Sequence, residues 1–328
     1  MTVLGEKVLF FGDFGIDDIF ALIYSSYSKQ IDVVGIVADY GNVSKEKAVA
    51  NARFLQQLFD ITDIPIFGGA SKSLTGSEPE YYPTIHGEGG LGPFEILEEM
   101  GSNFENFHEI VPLINKYGDE LTIVSVGRLT SLATAFIFFS NVMKKINKIY
   151  IMGGAFHYPG NVTPVAEANI YGDPYAANIV FTNSPVKINV FPLNVTHQAI
   201  VTPPIIEYVH SVIKQVDHQM AEITMQMYTY YYQAYKEMMP TIAGTPLHDL
   251  LVIWALEKPG DVRFKEVPVK IITNKGESFG QTIGDFRERR IKADYPIHKV
   301  AVDFNYARYI NSFVETFISE ANHKQSFL

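Results

Sequence analysis

The stretch Lys7-Val8-Leu9-Phe10-Phe11-Gly12-Asp13-Phe14-Gly15-Ile16-Asp17-Asp18-Ile19-Phe20-Ala21-Leu22 decides how the rest of this sequence is read. An apolar run of strand type leads into a turn on Gly12 and Gly15, and apolar residues at helical spacing follow. Three carboxylates, Asp13, Asp17 and Asp18, are packed into that turn. Such a turn belongs at the carboxyl end of a first strand, where open α/β sheets build their sites. One reading is local: Asp17 and Asp18 cap the helix and complement its positive end, while Asp13 is solvated. The other is that three mutually repelling acids serve a hard divalent cation such as Ca²⁺, which takes roughly six to eight oxygen ligands.

Downstream of this turn the pattern repeats. Residues 31–38 read as a buried strand, Ser44 as the cap of a helix running to about residue 58, and 64–67 as a short strand. Residues 68–92 are rich in Gly, Ser, Pro and Thr, and a long irregular segment in a compact fold is more often functional than idle. Further strands are expected at 121–126, 148–152, 186–193, 267–273, 279–285 and 300–304. Helices are expected from about 129, over 173–182, 203–239 and 247–257, and from about 306. Alternating strands and helices predict an α/β fold: a doubly wound, mostly parallel central sheet flanked by helices, with the site at the carboxyl ends of the strands. With no internal repeat or linker, residues 1–328 read as one domain.

Composition narrows the function. A net charge of −10 argues against a nucleic-acid partner, since phosphate binding needs clustered Lys and Arg. The absence of cysteine excludes disulfides, thiolate catalysis and a Cys-based zinc site. No signal-type segment and no apolar stretch long enough for a bilayer is read, so the expectation is a cytoplasmic protein without a membrane partner. Several strand ends carry polar residues: Asn42 after the second strand, Val126-Gly127 after a later one, and Asn161, Glu167 and Asn169 beyond Met152-Gly153-Gly154. Asp249 opens a late helix. Converging, they would offer carboxylates to a cation and amides to a polyhydroxylated ligand. Tyr231 and Tyr235 share one helical face, and Tyr228 and Tyr232 a neighbouring one. These faces serve core packing or a subunit interface, or else form an aromatic wall for a planar ligand.

Asp13-Phe14-Gly15-Ile16-Asp17-Asp18, Gly41-Asn42-Val43, Ile151-Met152-Gly153-Gly154, Gly160-Asn161-Val162-Thr163-Pro164 with Ala166-Glu167-Ala168-Asn169, and Pro246-Leu247-His248-Asp249 together resemble the inosine-uridine nucleoside hydrolases. The resemblance runs from residue 7 to the final helix. It implies a Ca²⁺-dependent N-ribohydrolase that splits a small-molecule nucleoside into ribose and free base. By position, Asp13, Asp18, Asp249 and the backbone carbonyl of Val126 would bind the ion. Asp13 would be the general base, and Asp17, Asn42, Asn161, Glu167 and Asn169 would hold the ribose, with Met152 lining the pocket. His248 resembles the family's leaving-group acid, a role suited to a side chain that titrates near neutral pH. His86, in the Gly-rich segment, is a further candidate for a lid contact. Homo-oligomers, dimers or tetramers, are common in the family, so one is expected.

This chain departs from the family pattern at four places, one being Ser125-Val126 where the family has Pro-Thr before Gly127. Phe11 stands where an aspartate usually lies two positions before the base, Phe14 replaces the proline after it, and Asn194 occupies a position where aspartate is common. Two other readings follow: an N-glycosidase for another ribosyl compound, or a catalytically silent protein that binds Ca²⁺ and ribosides. A phosphatase with an Asp-x-Asp nucleophile is disfavoured, because Phe11 interrupts the pair and no cationic phosphate clamp is apparent.

Overall fold

The computed structural model describes residues 5–59, 61–96, 106–288 and 294–325. Its strands are β1 (Glu6–Gly12), β2 (Ile31–Ala38), β3 (Ile66–Gly68), β4 (Leu121–Ser125), β5 (Lys148–Met152), β6 (Asn189–Phe191), β7 (Ile200–Val201), β8 (Thr245–Pro246), β9 (Val262–Ile271), β10 (Thr282–Gly284) and β11 (Ile297–Phe304). Nine of them form one sheet in the order β10-β9-β11-β6-β5-β4-β1-β2-β3. Neighbours from β3 to β11 pair parallel, and β9 joins β11 and β10 antiparallel. The doubly wound, mostly parallel α/β sheet expected from the sequence is present.

Strand order reverses at β1, which lies between β2 and β4. Loops leaving neighbouring strands part in opposite directions at such a switch point and open a crevice beyond the carboxyl ends. The acidic turn at Asp13 and the Val126-Gly127 turn both fall there. Alternate side chains of β1 enter opposite faces of the sheet, as the two-residue period requires. Val8 and Phe10 join a core with the helices Ile16–Tyr27, His248–Glu257 and Tyr306–Gln325. Leu9 and Phe11 join a second core with Ile110–Tyr117, Thr130–Phe138 and Pro174–Asn183. Phe11, where the resemblance leads one to expect an acid, is thus an ordinary core residue in the cluster with Val37, Phe67 and Ile123.

Several boundaries differ from expectation for local reasons. The helical stretch 203–239 is broken into Pro203–Ile213 and His218–Met238, because the Asp217 side chain accepts from the Met220 N–H and starts a new helix. Of residues 186–193 only Asn189–Phe191 pair as strand, and 279–285 shrinks to Thr282–Gly284. The segment 68–92 is irregular except for the short helix Pro83–His86. Ser44 caps the helix Lys45–Leu58, accepting from the Lys47 N–H.

Phe14 adopts φ of 53°, a left-handed conformation unusual outside glycine. It is held by burial of its ring against Phe10, at 6.3 Å, and by the Asn51 amide, which donates to its carbonyl at 3.2 Å. The strain is worth about 1–2 kcal/mol, and loss of a buried phenylalanine ring about 3–5 kcal/mol. Phe14→Gly should therefore lower stability by roughly 2–3 kcal/mol in urea denaturation. An increase would show that backbone strain outweighs the ring's packing.

Candidate active site

The site is built on the turn after β1. The Asp18 carboxylate accepts from the backbone N–H of Asp13 at 3.1 Å and of Gly15 at 3.0 Å. It thus caps the helix Ile16–Tyr27 as the local reading expects, while its oxygens also lie in the acidic cluster. Asp13 is fixed by its neighbour across the switch: both of its oxygens accept from Asn42, one from the backbone N–H at 2.8 Å and one from the side-chain amide at 2.9 Å. Gly41 and Gly127 flank this carboxylate. A Cβ on Gly41 would fall 1.7 Å from Asp13 Oδ2, so the approach is possible only for glycine.

Asp17, Asp18 and Asp249 present carboxylate oxygens that all lie within 4.8 Å of one another. Two ligands on opposite sides of one Ca²⁺ stand about 5 Å apart at the usual 2.3–2.6 Å bond length, so this spacing fits a single hard cation. Asp17 Oδ1 is buried and makes no hydrogen bond among the described residues. Burial raises Asp13, Asp17, Asp18 and Asp249 above the ordinary carboxylate range, Asp17 to about 7, and repulsion from neighbouring acids adds to this at Asp17, Asp18 and Asp249. The donors are oxygen throughout, which suits Ca²⁺ or Mg²⁺ rather than a thiolate or imidazole metal. The sequence expectation put Asp13 among the ion's ligands and Asp17 on the sugar. The grouped carboxylates instead include Asp17, with Asp13 lying against Asp18 and held by Asn42.

A cavity of about 260 Å³ opens over this cluster. Asp17, Asn42, Val126, Met152, Asn161, Glu167, Asn169, His86, Tyr231, Tyr235, His248 and Asp249 all line it, while Asp13 and Asp18 lie beneath. Asn169 donates to the Val126 carbonyl at 2.6 Å and to that of Met152 at 3.2 Å. Glu167 is engaged by backbone N–H groups of Gly154, Asn169 and Ile170, which makes it a helix cap at the wall. Asn161 holds the Ala168 N–H and is exposed at the rim.

His86, offered as a lid contact from the Gly-rich segment, lies in the cavity wall. It is buried, its Nδ1 accepts from the Ile16 N–H at 3.0 Å, its ring lies 5.2 Å from that of Tyr231, and burial lowers its pKa to about 3. His248 differs from expectation: burial holds it well below its ordinary range, so the ring is neutral rather than poised near pH 7. Its Nδ1 meets Thr196 Oγ1 at 2.8 Å and its Nε2 meets the Tyr235 hydroxyl at 2.7 Å. Tyr231 lies beside Asp17, and its ring meets that of Tyr235 edge-on at 4.9 Å. The tyrosine-rich helix thus splits its duties: Tyr231 and Tyr235 face the cavity, while Tyr228 packs in the core and donates to the Val201 carbonyl. Sequence reasoning missed Tyr82, Ile85, His197, Met238 and Met239, which complete the wall. They come from the irregular segment, a short turn and a helix end, where no periodicity marks a side.

Asn194 is explained by its contacts. Its Oδ1 accepts from the Phe156 N–H and its Nδ2 donates to the Phe156 carbonyl. An aspartate could make only the first bond.

The crevice at the switch point is thus floored by acids and walled by amides and aromatic rings. The family model described as inosine-uridine preferring nucleoside hydrolase matches residues 8–311, and the chain belongs to that family. It is 31% identical over 307 residues to uridine nucleosidase 1 of Arabidopsis thaliana, covering 90% of this chain and 87% of that one. It is 30% identical over 303 residues to the inosine-uridine preferring nucleoside hydrolase of Crithidia fasciculata, covering 91% and 94%. The solved structure of a purine-preferring ribonucleoside hydrolase from Gardnerella vaginalis superposes with a TM-score of 0.85 at 28% identity, covering 97% of this chain and 99% of that one.

One buried acid beside the site gives a pH prediction. Asp39, at the end of β2, accepts from Ser131 and the Ala70 N–H, yet burial raises it from its ordinary 3.8 to about 8. The folded state therefore holds this proton more tightly than the unfolded chain. Its contribution to stability is complete below about pH 4 and is lost as pH rises to about 8. Asp39→Asn should flatten that part of the decline, making the variant more stable than the parent at pH 9. Urea midpoints at pH 5, 7 and 9 measure this, and parallel curves would mean that Asp39 does not titrate in the window.

Proposed function

We propose that this chain hydrolyses the N-glycosidic bond of ribonucleosides of the inosine and uridine type to ribose and free base, with Ca²⁺ as its ion. The observation that carries the reading is the grouping of Asp17, Asp18 and Asp249 at the floor of a cavity walled by Asn42, Asn161 and Asn169. Asp13, Asp18, Asp249 and the Val126 carbonyl are the donors assigned to the ion, with Asp17 close enough to join them. Bound there, Ca²⁺ supplies a Lewis-acidic anchor for a water and for ribose hydroxyls. The names of the relatives span uridine, inosine-uridine and purine preference, so the nucleobase is left to measurement.

The chain's own groups account for the rest. Asp13, oriented by both Asn42 bonds, takes the proton of the attacking water as general base. Asp17 Oδ1, which lacks a partner, accepts from a ribose hydroxyl, and the amides of Asn42, Asn161 and Asn169 hold the others. As the bond to the base breaks, the sugar gains oxocarbenium character, which the surrounding carboxylates stabilise. The departing base gains negative charge. His248 and Tyr235, joined at 2.7 Å, form the hydrogen-bonding pair that offers it a donor. Because His248 is neutral at rest, the pair stabilises the departing base by hydrogen bonding, and the proton that the base finally takes comes from solvent water.

Release of ribose from a panel of purine and pyrimidine nucleosides, with added Ca²⁺ and with a chelator, tests the reading. Chelator-sensitive release from inosine or uridine is expected. No release from any nucleoside, with Ca²⁺ and ribose still bound in calorimetry, would identify a silent riboside-binding protein. Asp13→Ala should lower kcat by at least about a hundredfold. A near-parental rate would remove Asp13 from the mechanism. His248→Ala should cost about a hundredfold on inosine and much less on a nitrophenyl riboside, whose leaving group needs no proton. Equal losses on both would reject the leaving-group role.

A further inference from the structure

On the other side of Tyr82 lies a second cleft of about 260 Å³, lined by Tyr40, Arg128, Tyr171, Tyr175 and Phe279, with Ser73, Thr75 and Ser77 at its edge. Tyr82 lines both this cleft and the acidic cavity, but Arg128 lines only this one. Arg128 is 3% exposed. A Cβ on Gly172 would lie 2.3 Å from its Nε, so the chain leaves that position bare to let the guanidinium through. The guanidinium stacks over the Tyr40 ring at 4.7 Å and donates to the Glu80 carbonyl.

Among the described residues, no carboxylate stands within ion-pair distance of this arginine, whose charge reaches Asp13 only from farther off. Arg263, Arg287 and Arg308 each pair with a carboxylate, whereas Arg128 forms no ion pair among the described residues. Asp173 lines the same cleft, but its oxygens are taken by the N–H groups of Leu74 and Ala176 and by the Thr130 hydroxyl. A buried guanidinium offers five donors in a planar fork, and one carbonyl does not use them. Buried charges are ordinarily paired, so the arrangement suits an incoming anion.

The walls say which kind. Tyr175 packs tilted on Phe279 at 6.1 Å between centroids and Tyr171 meets Phe279 edge-on at 5.9 Å, so the wall is aromatic. Glu78 and Glu80 stand exposed at the rim and oppose a doubly charged group. The volume is small beside the roughly 300–1,000 Å³ of sites for drug-sized molecules, which limits the occupant to about one ring. We propose that this cleft is a second ligand site, distinct from the acidic cavity, that takes a small planar monoanion of the aromatic carboxylate class, its carboxylate on Arg128 and its ring against Tyr175 and Phe279.

The probes are benzoate, its neutral isostere benzamide, and inorganic phosphate, titrated into the full chain by calorimetry with saturating ribose present to occupy the other cavity. Benzoate should bind at least about tenfold more tightly than benzamide and than phosphate. Arg128→Met should weaken benzoate about tenfold or more, with the fold checked by thermal melting. Tyr175→Ala, on the half-buried wall, should also weaken it and does not depend on Arg128 for folding. Equal binding of benzoate and benzamide, or binding unchanged by Tyr175→Ala, would overturn the site. Tighter binding of phosphate would overturn the planar monoanion as its ligand. Absence of benzoate binding at millimolar probe would leave Arg128 as a fixed counter-charge to the neighbouring acids and refute the proposal. Nucleoside hydrolysis is read in a separate assay, so failure of either proposal leaves the other standing.

Discussion

The two hydrogen bonds that the Asp18 carboxylate accepts, from the Asp13 and Gly15 N–H groups, turn the end of a strand into a site. They fold the backbone so that Asp13 faces β2 and its Asn42, and they begin the helix whose first turn carries Asp17. Without them the backbone N–H groups at the helix start would need other partners. The left-handed Phe14 belongs to the same turn, held by its ring and by Asn51. Asn51 also donates to Gly89 at 2.7 Å, fastening the Gly-rich segment over the turn.

Electrostatics then sets the character of the cavity. Four buried carboxylates lie close together; burial raises the proton affinity of each, and the charge of Asp13 adds to it at Asp17, Asp18 and Asp249. The chain meets this cost with directed N–H groups around Asp13, Asp18 and Glu167 rather than with a lysine or arginine in the cavity wall. Such an arrangement keeps negative charge available for a cation and for a sugar that becomes positive as its bond breaks. Arg128 acts on Asp13 from outside the cavity, through the backbone that separates the two clefts.

Much of this was legible from residue order. Apolar runs such as Leu121–Ser125 and Lys148–Met152 announced the parallel strands, because strands buried on both faces need little but Val, Ile and Leu. The acidic turn and the polar residues after later strands named most of the cavity lining. The environment of those residues was not legible. Whether His86 is a surface residue or sits 5% exposed against Tyr231 depends on how the irregular segment folds back. The neutral state of His248 follows from burial by elements far away in sequence. Tyr82, Met238 and Met239 escaped notice because side chains in loops and at helix ends have no period to show where they point.

The cavity floor is drawn from both ends of the chain. Asp13, Asp17 and Asp18 are made well before Asp249, which arrives only with the helix His248–Glu257. During synthesis at roughly 5–20 residues per second, the early acids are therefore exposed for more than ten seconds before their partner exists. Contacts of such long sequence separation close late and slowly. A chain that has emerged only as far as β6 can pair β1 with β2 and β4, yet lacks Asp249, one of the three grouped carboxylates. The grouped acids thus form only once the helix His248–Glu257 has been made, so a product truncated before it would carry the acidic turn without the third carboxylate.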